Sequence, residues 1–241
     1  MKKIGATLAG GFFLYNIIPT FIMQKISKHV IKKTNEAGVL LTFDDGPNPA
    51  YTGELLDLLN KYKIKAMFYV VAQKAAQHPE FIQRMHREGH VIGIHHHTHT
   101  SSFLLSPFQL KKQLQKSQEI LQHMIGEPVL FYRPPYGHFN ASTAWIAKEY
   151  YLMTWSGMFG DWRSKTAQNS LLQNLHHHVA DGRIYVLHDC GKNFGANEEA
   201  PHFMLQALSQ FLNDAKEQGI ILTDAQAWAK KYRQDKSTLP S

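Results

Sequence analysis

Short apolar runs and amphipathic stretches take turns along most of this chain. The run from Gly38 to Phe43 is apolar and ends in acids, which predicts a buried strand. Further strands are expected at Ala66 to Val71, His90 to Ile94, Val129 to Phe131, Tyr151 to Trp155, Ile184 to Leu187 and Ile220 to Leu222. Between them fall helical patterns. Glu54, Leu55, Leu58 and Leu59 open one face, and Pro79 to Glu88 forms a second helix stopped by Gly89. Ser106 and Pro107 open a long helix to about Met124, because Ser suits an N-cap and Pro the first turn. Helices are also expected from Asn140 to Lys148, Leu171 to Val179 and Phe203 to Gln218. Strict alternation of strand and helix predicts an α/β fold with a mainly parallel sheet, open or closed.

The first residues break this pattern. Ile4 to Met23 is a stretch of 20 residues without charge, and ~1.5 Å per helical residue lets such a length cross ~30 Å of hydrocarbon. Lys2 and Lys3 precede it, and no small-residue cleavage site follows before Gln24 and Lys25. The expectation is a hydrophobic helix acting as an uncleaved signal anchor. The alternative is a helix lying on the membrane surface or docked on the domain. Residues 1–33 thus form the anchor and a basic juxtamembrane segment, 34–233 the main domain, and 234–241 a polar tail. Four lysines follow the stretch and two precede it, which by the positive-inside rule would favour a cytoplasmic body.

Composition fits a folded domain. With 44% hydrophobic residues and 12% aromatics, disorder is excluded as the main state. The net charge of +7 lies almost wholly in residues 1–33, which hold six lysines and no acid; the remainder has 20 basic and 19 acidic residues. A nearly neutral body gives no reason to expect nucleic acid. Cys190 is the one cysteine, so no intrachain disulfide or Cys-rich zinc module exists.

Candidate chemistry collects where strands are expected to end. Asp44 and Asp45 follow the first strand directly; adjacent carboxylates there are costly unless something binds them. The same Asp-Gly-Pro could be a plain turn. His95 and His99 are spaced so that one helical turn would place both imidazoles on one face, which is metal-ligand spacing. His96 stands where a metalloprotease would need Glu, which removes that class. His96 and His97 are not read as ligands, and His176, His177 and His178 read as a solvated helical face. Arg133-Pro-Pro-Tyr-Gly137 supplies a stiff loop after another strand. Asp161-Trp162 and His188-Asp189 carry little signal alone; a terminal His can be a capped core residue.

Taken in order, Thr42-Phe-Asp-Asp-Gly-Pro47, His95 with His99, Arg133-x-Pro-Tyr-Gly137, Asp161-Trp162 and His188 resemble the polysaccharide deacetylases, the NodB-like carbohydrate esterases. The likeness covers roughly residues 36–228. It implies a distorted (β/α) barrel with its site at the carboxyl ends of the strands. It implies that Asp45, His95 and His99 bind a divalent metal, zinc or a relative such as cobalt, nickel or manganese. By the same likeness Asp44 is the general base, Arg133 pairs with it, His188 is the general acid, and Asp161 orients His188. Trp162 and Leu187 would line the acetyl pocket, and the Tyr136 N–H would hold the oxyanion.

The implied function is metal-dependent removal of acetyl groups from N-acetylhexosamine residues of a glycan: peptidoglycan, a chitin-like chain or a lipid-linked sugar. An O-acetyl ester is also open. The implied partners are that glycan and, through the N-terminus, a membrane, with the domain outside the cytoplasm and no obligate protein partner. A non-catalytic carbohydrate- or metal-binding protein on the same fold is the alternative. Two positions depart from the family pattern. His96 replaces a common hydroxyl residue, and Val186 replaces a common Leu before the acid histidine.

Overall fold

The computed structural model describes residues 10–237. Its strands are β1 (Val30–Ile31), β2 (Val39–Asp44), β3 (Met67–Val70), β4 (Val91–Ile94), β5 (Phe131–Tyr132), β6 (Tyr151–Met153), β7 (Gly157–Met158) and β8 (Arg183–His188). All pair in parallel, in the order β1-β6-β5-β4-β3-β2-β8-β7. The sheet curls into a half-barrel with β1 and β7 at its two ends, so the barrel expected from the resemblance is open. Residues 220–222 contribute only a bridge, Leu222 to Val39, where a strand was expected. Short elements that the hydropathy pattern does not reveal are β1, β7 and the helices Ala72–Gln77, Ser164–Asn169 and Ala225–Ser237. The last of these places 234–237 in a helix; residues 238–241 lie outside the described part.

Strand side chains alternate between faces, and the two faces bury different things. Val39, Leu41 and Phe43 of β2 join Phe68, Tyr185 and Leu187 under the helices in the larger apolar cluster. Leu40, Met67, Tyr69, Val91, Phe131 and Ile184 point to the inner face, where Ala225, Trp228 and Ala229 of the last helix cover them. The inner face is apolar at the amino ends of the strands and polar at their carboxyl ends. Along β2 it runs Leu40, Thr42, Asp44; along β8 it runs Ile184, Val186, His188.

The expected N-terminal anchor lies partly outside the described residues and finds no support in the rest. Residues 1–9 lie outside the described part; among the described residues no helix is long and apolar enough to cross a membrane. Residues 13–26 form an irregular helical segment, two π turns (Phe13–Ile17, Ile22–Ile26) around a short α turn with Pro19 (Ile18–Phe21). It is docked on the domain. Thr20 Oγ1 donates to the Phe139 carbonyl at 2.7 Å and accepts from the Phe139 N–H at 2.9 Å. Gln24 Nε2 donates to the Gly137 carbonyl at 2.7 Å, and the Ala141 N–H donates to the Tyr15 carbonyl at 2.8 Å. The physical reason is polar spacing: Tyr15, Asn16, Thr20 and Gln24 share one side and find partners or burial on the loop 137–142.

Candidate active site

Five inner-face positions at strand ends converge on one cavity of about 340 Å³: Asp44 at the end of β2, His95 after β4, Trp155 after β6, and Val186 and His188 on β8. Asp45 should point outward by alternation. Its left-handed backbone (φ 82°) turns its carboxylate back into the cavity. The register Asp44↔His188 between β2 and β8 sets the two side by side at the mouth.

Asp44 is buried, and so is its partner. Arg133 Nη1 donates to Asp44 Oδ1 at 2.6 Å and to Thr42 Oγ1 at 2.8 Å. Nη2 donates to the Thr154 carbonyl at 2.9 Å, and the guanidinium lies 4.1 Å over the Tyr69 ring. Gly93 leaves room for that ring, since a Cβ there would meet it at 2.6 Å. A fully buried Arg is stable only when its donors are used in this way.

Three donors gather beside Asp44. Asp45 Oδ1 stands 3.2 Å from His95 Nε2 and 2.8 Å from His99 Nε2, and the three ligand atoms lie within 4.8 Å of one another. The local backbone corrects the helical-turn expectation: residues 95–99 are irregular, with His96 at φ 63° and His99 at φ 38°. His95 Nδ1 meets the Arg133 carbonyl at 2.7 Å, which fixes the proton there and leaves Nε2 with its lone pair toward Asp45. Burial alone would raise the Asp45 carboxyl, but the His99 and His95 imidazoles outweigh it and hold it well below the usual range. Burial pushes His99 down. One carboxylate oxygen and two imidazole nitrogens, all aimed at one point, fit a divalent cation. His96 is not a ligand: its ring is buried between the Thr100 carbonyl and the Tyr132 hydroxyl, and burial lowers it to about 3.

Across the cavity, Asp161 grips His188 twice. Oδ2 accepts the His188 backbone N–H at 2.7 Å, and Oδ1 lies 3.0 Å from Nδ1. Burial would lower this imidazole, but the Asp161 charge and hydrogen bond dominate and push it up to about 10. Trp162 stands edge-on to it at 5.3 Å and lines the cavity.

Tyr136 sits at the rim with left-handed backbone (φ 59°), its ring 4.8 Å from His99. The next two amides, of Gly137 and His138, are taken by the carbonyls of Pro134 and Pro135. Leu187 is not in the cavity. Its odd position on β8 turns it into the outer core, and Val186 lines the wall instead. His176 pairs with Asp214 far from this cavity.

Sequence reasoning missed several residues. Lys74 Nζ donates to the Asp45 carbonyl at 2.8 Å, to Cys190 Sγ at 3.1 Å and to Asn193 Oδ1 at 3.3 Å, tying the Asp45 backbone to the loop after β8. That loop carries Phe194 at the cavity mouth, 95% exposed. Trp155 and Met158 also line it. Strand parity would have found Thr42 and Trp155; nothing local marks Lys74 or Phe194.

An open parallel half-barrel with its polar residues gathered at the carboxyl strand ends defines a class, the barrel-type α/β enzymes. Residues 31–155 match the family model described as polysaccharide deacetylase. The chain belongs to that family, hydrolases that act on the carbon–nitrogen bond of acetylated amino sugars. It is similar to a peptidoglycan-N-acetylglucosamine deacetylase of Bacillus cereus, 32% identical over 189 residues, covering 77% of this chain and 84% of that protein. It is 34% identical over 155 residues to the peptidoglycan-N-acetylmuramic acid deacetylase PdaC of Bacillus subtilis, covering 64% of this chain but only 33% of that longer protein. The solved structure of PdaC superposes with a TM-score of 0.68 at 29% identity, over 84% of this chain and 96% of that one.

Proposed function

We propose that this enzyme is a metal-dependent N-deacetylase of N-acetylhexosamine residues in peptidoglycan, and that it works outside the cytoplasm, where that glycan lies. One observation carries the reading. Asp44, paired with a group that cannot give up a proton, and His188, paired with one that makes it hold a proton, flank the same cavity beside three metal-type donors. The two relatives' names, both peptidoglycan deacetylases, support the substrate class.

Asp45, His95 and His99 would hold the cation, with zinc the ion best suited to two imidazoles and a carboxylate. Such an ion, when bound, polarises the amide carbonyl and acidifies water. Arg133 pairs with Asp44 and aims it, so Asp44 accepts the proton of the attacking water. The Tyr136 N–H donates to the oxyanion that forms. An amine cannot leave as an anion, so His188 Nε2 protonates the departing nitrogen while Nδ1 stays on Asp161. Trp162 and Val186 form the wall against the acetyl methyl. Acetate and a free amino sugar result.

The test is acetate release by the full chain from N-acetylglucosamine oligomers and from peptidoglycan, with and without chelator. Release that chelator abolishes and zinc or cobalt restores is expected. Metal bound at one equivalent with no release from either glycan overturns the N-deacetylase reading.

A further inference from the structure

The helical segment before β1 is amphipathic in the wrong sense for water. Its polar side chains face the protein: Asn16 is buried, and Thr20 and Gln24 bond to the loop 137–139. Its outer side carries Phe13, Leu14, Ile17, Phe21, Ile22 and Ile26, of which Leu14 is 65% and Ile26 63% exposed. A helix lying against an aqueous surface carries the reverse pattern.

The apolar surface does not end with the segment. Phe12 stands edge-on to Phe103 at 5.8 Å, and Phe103 stacks on His138 at 4.0 Å, beside the exposed Leu104. His138 lies 5.5 Å from the Tyr136 ring, which touches the cavity rim. A contiguous exposed apolar face of this kind marks an interaction surface. Charge selects the occupant. Residues 1–33 hold six lysines and no acid; Lys25, Lys28 and Lys33 are exposed, the first two within two residues of Ile26 on the apolar face. Two copies of so basic a segment would repel each other, whereas anionic head groups attract lysines while the acyl boundary takes the aromatic and aliphatic side chains.

We propose that this face lies in the plane of an anionic bilayer surface, with Phe13, Ile17 and Phe21 in the acyl boundary and the lysines among the head groups. The helical segment does not span; it rests on the lipid. Because Gln24 and Thr20 hold the loop that carries Tyr136, docking sets the cavity mouth at the membrane surface. Given the deacetylase reading above, the enzyme then works on acetylated sugar close to the bilayer.

The experiment is flotation of the full chain with vesicles of phosphatidylglycerol and phosphatidylethanolamine, against vesicles of phosphatidylcholine alone. Binding to the anionic vesicles is expected, weakened by salt and released by alkaline carbonate. The combined Phe13→Ser, Ile17→Ser, Phe21→Ser variant should bind ~10-fold or more weakly while releasing acetate from soluble oligomers at the parent rate. That separates loss of docking from failure of the catalytic reading. The combined Lys25→Gln, Lys28→Gln, Lys33→Gln variant should lose the preference for anionic lipid. A separate Ile17→Cys variant with an environment-sensitive fluorophore should shift to the blue on adding vesicles, whether or not the serine variant folds. Unchanged binding by the serine variant, resistance to carbonate, absence of the blue shift, or a dimer that the serine variant dissociates would each overturn the proposal.

Discussion

The two flanks of the cavity use the same device for opposite ends. On the β2–β5 flank a buried carboxylate, Asp44, lies 2.6 Å from a guanidinium; on the β7–β8 flank a buried carboxylate, Asp161, lies 3.0 Å from an imidazole. Arg133 stays charged at any working pH, so its partner is the group left to accept a proton. His188 can exchange its proton, so in the proposed reaction the carboxylate there is the support and the cation is the reacting group. In the proposed reaction, what separates base from acid is the identity of the partner, because both carboxylates are equally removed from water.

The comparison can be broken most severely at Asp44. Asp44→Asn keeps the shape and removes the acceptor; turnover should fall by ~10²–10⁴, while zinc content by mass spectrometry stays at one equivalent. Retained turnover would move the base elsewhere. Arg133→Met strips the buried partner from Asp44 and should destabilise the fold by ~3–5 kcal/mol, read as a lower denaturation midpoint. An unchanged midpoint would mean that Asp44 takes up a proton at no cost.

Asp161→Asn sharpens the other flank. Without the Asp161 charge, burial is left to lower His188, so the proton held up to about 10 is lost at lower pH. The alkaline limb of kcat should move to lower pH. The linkage follows the same sign. The folded value lies above the unfolded one, so the Asp161–His188 contribution to stability is full below the unfolded value of ~6.5 and fades as pH climbs toward the folded one. The variant should show a flatter midpoint against pH across that window. An alkaline limb that stays in place would remove Asp161 from the role. The smallest effect is expected at Phe194→Ala. Its ring stands at the cavity mouth without burial, so KM for glycan oligomers should rise a few-fold with kcat unchanged, measured by steady-state kinetics. An unchanged KM would leave Phe194 outside the substrate path.

Much of this was legible because strand and helix periods differ. The runs at 38–43, 66–71, 90–94 and 184–187 are too short and too evenly apolar for surface helices, and the acids and histidines that follow them are costly where a strand emerges. Residue types at strand ends therefore marked Asp44, Asp45, His95 and His99, whereas Arg133, Asp161 and His188 stood out only through their likeness to a known family. Leu187 went astray because the same residue run does not say which parity faces inward. Once Asp44 and His188 point in, β-strand alternation sends Leu187 out.

The sequence by itself determined the alternating layers, the set of residues with chemistry and the family to which they belong, because these follow from local period and residue type. Only the tertiary structure decided how those residues meet. Five separate strand ends had to be brought to one edge before Lys74 could reach the Asp45 carbonyl and before His188 could stand beside Asp44 at one cavity. It also decided where the described part of the uncharged N-terminal stretch lies. Hydropathy counts side chains one at a time, whereas the fold gave Thr20 and Gln24 partners on a loop more than a hundred residues away. A polar group's cost depends on whether it finds such a partner, and no local pattern carries that information.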